Sequence, residues 1–265
     1  MTFDDMHFYK FDGAGNDFVV IDNRNGEYIL GETEIARICH RRFGVGADGL
    51  MLLNAAPVGY DFEMVYFNSD GRIGSMCGNG GRCIAAFAHI LGLGSKLRFV
   101  GYDGPHEAEI IMWDSVQRLG IVKLGMRDVE KAGVRRVLDG WFLDTGSPHY
   151  VQRVEDLEHY DVVGEGRRLR NIADVFPEGT NVDFIEDMPD GRLAVRTYER
   201  GVEDETWACG TGVTACAIVS GNHRLVARGG DFRVDFDANG DVYGKVFLTG
   251  PVSLNFEGIW TSSAQ

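Results

Sequence analysis

Two short runs in this chain are small or apolar at every position, a pattern that neither an amphipathic helix nor a half-buried strand produces. Ile84-Ala85-Ala86-Phe87-Ala88 stops at Gly92 and Gly94, and Ala217-Ile218-Val219 stops at Gly221. Ala-rich apolar runs ending in Gly predict short helices buried around their whole circumference. Around them the apolar positions predict strands at His7–Phe11, Phe18–Ile21, Leu50–Leu53, Phe62–Phe67, Lys96–Val100, Ala108–Trp113 and Leu119–Leu124. Thr33–Arg42 reads as an amphipathic helix with Ile35 and Ile38 on one face and Thr33 as its cap. After a polar segment, Arg127–Arg136, the pattern restarts. Strands are expected at Trp141–Leu143, Tyr150–Val154, Val182–Ile185 and Leu193–Tyr198, with a helix at Arg167–Val175. Asn239-Gly240 between Phe232–Phe236 and Val242–Phe247 signals a hairpin, and Leu254–Trp260 closes the chain.

The restart keeps register. Gly15 and Gly146, like Asn68 and Glu199, stand 131 positions apart; Gly49 and Asn181, like Cys77 and Cys209, stand 132 apart. Four loops held in register over half the chain argue for an internal duplication. The expected fold class is therefore α/β, with two pseudo-symmetric domains at 1–125 and 126–256. Two such halves commonly face each other across a cleft, which would bring Cys77 and Cys209 toward each other.

Composition narrows the class. The 265 residues are 44% hydrophobic and 25% charged, as in ordinary globular proteins. No apolar run approaches the ~20 residues of a membrane span, and the acidic Met1–Asp5 is unlike a signal or transit peptide. A net charge of −14 argues against a general nucleic-acid binder. Five cysteines, odd in number and not spaced as metal pairs, fit a reducing compartment, so the expected location is cytoplasmic.

The chemistry concentrates at the starts of the two buried helices, where Cys77-Gly78-Asn79-Gly80 and Cys209-Gly210-Thr211-Gly212 repeat one motif. Free N–H groups and the dipole at a helix start favour anions, which should lower a thiol's pKa. Cys39, Cys83 and Cys216 read as buried small hydrophobes. For Cys77 and Cys209 several roles compete: the same inert one, a redox disulfide, a metal site or a single nucleophile. Cys-x-x-Cys spacing is absent, as are clustered metal partners, and a nucleophile needs one thiol. Two equivalent thiols suit a nearly symmetric reaction. Inversion at a carbon bearing hydrogen is one: a thiolate removes the proton from one face and the other thiol returns one to the opposite face.

The motifs then resemble those of the diaminopimelate epimerases. They are Phe11-Asp12-Gly13-Ala14-Gly15-Asn16-Asp17-Phe18, Gly44-Val45-Gly46-Ala47-Asp48-Gly49, Phe67-Asn68-Ser69-Asp70-Gly71, Met76-Cys77-Gly78-Asn79-Gly80, Gly146-Ser147-Pro148-His149, Asn181-Val182, Tyr198-Glu199-Arg200-Gly201, Ala208-Cys209-Gly210-Thr211-Gly212 and Thr249-Gly250-Pro251, in the family's order over nearly the whole chain. The resemblance implies two domains of mainly antiparallel strands, each wrapped around a central helix, with the last strand (about 257–265) joining the first domain. It implies a homodimer that interconverts LL- and meso-diaminopimelate without pyridoxal phosphate or metal, in lysine biosynthesis.

Carried over position by position, the resemblance makes Cys77 and Cys209 the acid/base pair, His149 the group assisting Cys77, and Glu199 the group assisting Cys209. Asn16, Asn68, Asn181 and Arg200 become the recognition set for the substrate end that does not react. Gly78-Asn79 and Gly210-Thr211 become the backbone cradle of the reacting carboxylate. Ser147 stands where the family often has Asn, which leaves that recognition contact shorter, water-bridged or absent. Gly49 stands where some members have Gln, and Glu199–Cys209 is one residue longer than in many members through Val202-Glu203-Asp204-Glu205. Proline racemases and hydroxyproline epimerases, the alternatives of related fold, typically carry His at the position of Asn79 and lack Glu199-Arg200-Gly201. A binding module that had lost its chemistry would normally lack a thiol.

Overall fold

In the computed structural model the described residues are 5–74 and 77–261; expectations that concern Met1–Asp4, Met76 or residues 262–265 lie outside them. The chain divides into two compact units, Met1–Leu124 with Pro251–Gln265, and Gly125–Gly250.

The first unit runs β1 (Met6–Gly13), β2 (Asn16–Asn23), α1 (Glu32–Cys39), β3 (Gly49–Asn54), β4 (Phe62–Asn68), α2 (Gly78–Ile90), β5 (Lys96–Gly101), β6 (Gly104–Asp114) and β7 (Leu119–Gly125). Its helices cover opposite faces of the strands. Ile35, Ile38 and Cys39 of α1 pack on Phe8, Val19, Ile21, Leu50 and Leu52, while Phe87 of α2 meets Tyr9 and Phe11. Burial on both faces explains why Phe18-Val19-Val20-Ile21 shows no alternation. Every residue of α2 from Gly78 to Ala88 is buried, the polar Asn79 and Arg82 along with the apolar Ile84-Ala85-Ala86-Phe87-Ala88.

The second unit runs β8 (Val129–Glu130), β9 (Arg135–Val137), β10 (Gly140–Asp144), β11 (Pro148–Arg153), α3 (Val162–Arg170), β12 (Asn181–Asp187), β13 (Leu193–Glu199), β14 (Asp204–Thr206), α4 (Gly210–Ser220), β15 (Arg224–Ala227), β16 (Gly230–Asp237) and β17 (Val242–Trp260). The 19 residues of β17 begin in this unit and end in the first, where they pair antiparallel with β1. The central helix α4 packs on β10–β13, β15 and β16.

The duplication is visible in the pairing. From β1 to β7 the successive pairs β1–β2, β2–β3, β3–β4, β4–β5, β5–β6 and β6–β7 are antiparallel, parallel, antiparallel, parallel, antiparallel and antiparallel. The pairs β10–β11, β11–β12, β12–β13, β13–β15, β15–β16 and β16–β17 repeat that order. The fold is thus α/β, two pseudo-symmetric sets of mainly antiparallel strands, each around a buried helix.

Two helices differ from expectation. α3 starts five residues earlier than Arg167, because Asp161 caps it by accepting the Gly164 N–H at 2.9 Å. It ends at Arg170, with Asn171 as its C-cap, rather than at Val175. Gly31, not Thr33, precedes the first turn of α1, which stops at Cys39 instead of Arg42. His40 there is extended, and its Nδ1 accepts the N–H groups of Arg42 and Phe43, an alternative to another helical turn. The polar segment Arg127–Arg136 carries the short strands β8 and β9.

Candidate active site

Each unit begins its central helix at a thiol in the same local setting. Cys77 is the N-cap residue of α2 (φ −110°, ψ 120°), and Cys209 is the N-cap residue of α4 (φ −107°, ψ 114°). The first N–H groups of each helix, which have no partner within it, thus belong to the residues that directly follow a cysteine.

In the first unit, Cys77 Sγ lies 3.5 Å from Asn16 Oδ1, and Asn79 Nδ2 donates to the same oxygen at 3.5 Å. Asn16 Nδ2 donates to Asp48 Oδ2 at 2.6 Å. Arg41 bridges Asp48 and Asp17, and Lys10, only 5% exposed, pairs with Asp17 at 2.5 Å and donates to Gly46 O. The charged network thus fixes the start of β2, where Asn16 sits. Arg82, fully buried inside α2, donates to Gly78 O and to Asn79 Oδ1, which turns the Asn79 amide toward Asn16. Burial lowers the Arg82 pKa to about 10, still a cation. Asn68 is exposed at the end of β4, opposite Gly49 in register. A Cβ at Gly49 would stand 2.5 Å from the Tyr66 ring, so Tyr66 occupies the space a Gln there would need.

In the second unit, Cys209 is 8% exposed, and its Sγ lies 3.3 Å from Thr211 Oγ1. Thr211 Oγ1 is 2.9 Å from His149 Nε2 and 3.0 Å from Ser147 Oγ, and Thr145 donates to the Thr211 carbonyl. His149 Nδ1 is 2.7 Å from Asp183 Oδ2, both side chains fully buried, and Thr197 donates to the other Asp183 oxygen at 2.7 Å. A carboxylate accepts, so Nδ1 carries the proton and Nε2 faces the hydroxyls as an acceptor when the ring is neutral. Parallel pairing sets Asn181 beside His149; its Nδ2 donates to Pro148 O, and its Oδ1 accepts the Arg200 N–H at 2.8 Å. The Arg200 guanidinium donates to Glu178 O, and Glu199 ends β13, partly exposed.

The expected lowering of thiol pKa does not hold at Cys209. Burial pushes this thiol well above its ordinary value, with Glu199 and Asp183 adding to the rise; hydrogen bonds from Thr211 and the Gly212 N–H oppose it. A helix start offers roughly 0.3–2 kcal/mol to an anion. Desolvating a charge costs several kcal/mol, so burial wins. Burial likewise raises Cys83 and Cys216, and Cys39 to about 12.

The resemblance assigned His149 to Cys77. Within its own unit His149 lies against Thr211, one hydroxyl from the Cys209 sulfur. Asp183, Thr197, Arg82 and Asp48 support the site residues, and none was expected from the sequence to do so. For Asp183 the only signal is its place two residues after Asn181, on the same strand face. Among the described residues no group of three or more His, Cys, Asp or Glu is arranged to hold a metal, and no helix is long and apolar enough to cross a membrane.

The profile of the diaminopimelate epimerase family matches residues 8–121 and 141–250. The chain is 42% identical over 264 residues to the diaminopimelate epimerase of Flavobacterium psychrophilum, covering 95% of this chain and 99% of that one. It is 46% identical over 214 residues to that of Chlorobaculum tepidum, covering 78% and 80%. Among solved structures, a PhzF-family phenazine biosynthesis protein from Bacillus anthracis superposes with a TM-score of 0.68 at 14% identity, over 97% of this chain and 99% of that one. A probable proline racemase from Agrobacterium radiobacter superposes with 0.67 at 15% identity, over 97% and 93%. At such identities the two structures establish a shared fold.

Proposed function

This chain belongs to the diaminopimelate epimerase family, and from that premise we propose that Cys77 and Cys209 carry its reaction as a two-thiol acid/base pair. The reaction is the isomerisation of diaminopimelate, a step of lysine biosynthesis. One thiolate takes the α-proton, so that the C–H bond breaks as S–H forms. The thiol of the other cysteine protonates the carbanion from the opposite face, and the configuration inverts. The observation that carries this reading is the shared N-cap geometry of the two cysteines on equivalent buried helices.

The backbone N–H groups of Gly78-Asn79 and Gly210-Thr211 receive the reacting carboxylate and stabilise the charge that develops beside it, so that no pyridoxal phosphate or metal is required. Asn16, Asn68, Asn181, Ser147 and Arg200 hold the distal ammonium and carboxylate, with Arg200 as a bidentate partner. His149 and Glu199 assist the thiols. The reading includes a cytoplasmic homodimer, whose mass light scattering would measure.

The test is a turnover panel of LL- and meso-diaminopimelate, lysine, proline and hydroxyproline with the purified protein. Turnover confined to the two diaminopimelate isomers is expected. Turnover of proline or hydroxyproline instead would overturn the substrate assignment, and full activity of a Cys77→Ala or Cys209→Ala variant would overturn the mechanism.

A further inference from the structure

The turn between β13 and β14, residues 200–203, closes around one carboxylate. Glu203 Oε1 accepts the Gly201 N–H at 2.9 Å and two donors of Arg170, Nε at 2.9 Å and Nη2 at 2.6 Å. Its Oε2 accepts the Tyr198 hydroxyl at 3.2 Å, and the Glu203 N–H donates to Glu199 O at 2.8 Å. The residue so held stands at φ +61°, in the left-handed region that residues other than Gly rarely adopt. A side chain persists there only where its surroundings over-determine it, and such residues gather at ligand clamps.

Arg170 reaches this turn from a fixed base. It is the last residue of α3, and a Cβ on Gly166 of that helix would collide with the Cβ of the fully buried Tyr198. Helix and strand are therefore packed as closely as their backbones allow. The same guanidinium lies against a second loop, since a Cβ on Gly179 would collide with Arg170 Nη1. The two loops that Arg170 joins are the two that Arg200 touches. The Arg200 backbone N–H donates to Asn181 Oδ1, and its guanidinium donates to Glu178 O. A half-exposed ion pair adds little to stability, which makes stability a poor account of this one.

We infer that the Arg170–Glu203 pair is a latch that positions Arg200, and so sets the preference of this site for substrates whose far end carries a carboxylate. Neither residue touches the substrate in this role. Glu203 holds the N–H of Gly201, the residue directly after Arg200, and Arg170 backs the loop whose Glu178 carbonyl receives the Arg200 guanidinium. Bidentate pairing with a carboxylate needs two parallel N–H···O bonds, so it is lost when the guanidinium wanders. A substrate end that does not react is held about equally in ground and transition states; loosening Arg200 therefore weakens binding rather than chemistry. Desolvation alone would raise the Glu203 pKa, yet the Gly201 N–H and the Arg170 guanidinium bring it below the ordinary carboxylate value. The latch is thus closed at neutral pH.

The inference rests on the reading of Arg200 as the distal carboxylate clamp, and steady-state kinetics with LL-diaminopimelate separate the two. Glu203→Gly removes the carboxylate while suiting the left-handed backbone. Arg170→Met removes the other half and leaves that backbone alone. Each should raise KM about tenfold, the equivalent of one charge-assisted hydrogen bond, with kcat within about twofold of wild type. Arg200→Lys should raise KM as well. On that background each latch variant should add less than about twofold, because a misplaced clamp cannot be misplaced again. If Arg200→Lys raises KM while a folded latch variant does not, the latch is overturned and the clamp stands. If Arg200→Lys leaves KM unchanged, the clamp falls and the latch with it. A latch variant that lowers kcat at constant KM, or effects that multiply with Arg200→Lys, would also overturn the latch.

Discussion

Asp48 accepts the Asn16 side-chain N–H at 2.6 Å, and since a carboxylate only accepts, the amide presents Oδ1 to Cys77 and Asn79. An amide at position 48 could accept or donate, and the orientation of Asn16 would lose its constraint. Asp48→Asn should lower kcat/KM about tenfold, in line with ~1.5 kcal/mol for one charge-assisted hydrogen bond. Steady-state kinetics check it; an unchanged kcat/KM would mean that Asp48 does not govern Asn16.

If Cys77 and Cys209 act as the proposed acid/base pair, isotopic labelling becomes directional. In D2O, early product should carry deuterium at the inverted carbon while unreacted substrate stays protiated, as proton NMR would record. Cys77→Ala and Cys209→Ala should each abolish inversion, and each survivor should exchange the α-proton only of the isomer it faces. Early product that retains substrate protium would point to a single shuttling base.

Gly212 and Gly80 occupy equivalent helical positions, yet Ala should be tolerated at only one. Helix propensity favours Ala over Gly by about 1 kcal/mol. At Gly212 the collision with the hydrogen-bonded Asp183 outweighs that gain, whereas at Gly80 the neighbour is the flexible Met51 thioether. Urea midpoints should place Gly212→Ala about 1–3 kcal/mol below wild type. Gly80→Ala should fall within about 1 kcal/mol of it. Equal effects at the two sites would contradict the packing.

Asp17 sets an acid limb of stability. Burial alone would raise its pKa, but hydrogen bonds from Arg41 and Lys10 and the charges of both bring it from 3.8 to about 2. A carboxyl whose folded pKa is depressed stabilises the fold above its ordinary pKa, and that stabilisation fades as pH falls toward the folded value. It should be worth about 2 kcal/mol at neutral pH and vanish between roughly pH 4 and pH 2. Melting curves of wild type and Asp17→Asn should converge across that window; a gap independent of pH would assign the loss to packing.

The sequence made legible whatever is written locally. A helix apolar on all sides, a Gly-flanked thiol and a motif repeated at constant offset are read from neighbouring residues, and α2, α4, Cys77 and Cys209 were found that way. Asp183 was not, because an acidic residue in a strand reads as solvent-facing until the register opposite Thr197 and beneath Gly212 is known. Arg82 was hidden for the opposite reason: in an apolar helix it reads as an exposed exception, whereas its guanidinium is folded back onto Gly78 and Asn79. The start of α3 is set by the capping carboxylate of Asp161, ahead of a first turn whose two glycines, Gly164 and Gly166, are poor helix formers. His149 was legible as a residue but not in its partner, since Thr211 lies 62 positions away.

The long strand β17 has a consequence for the order in which the molecule can be made. β1 holds β2 along one side and Ser253–Trp260 along the other, so β1 waits for a partner that follows the whole of the second unit in the chain. All of the second unit, Gly125–Gly250, leaves the ribosome before that partner does. The half that is translated second can therefore close first, and the half that is translated first stays open at one edge until Ser253–Trp260 has followed. A chain truncated after Gly250 should show slow amide exchange across β10–β16 and fast exchange across β1. Equal protection in both would mean that β1 does not depend on its late partner.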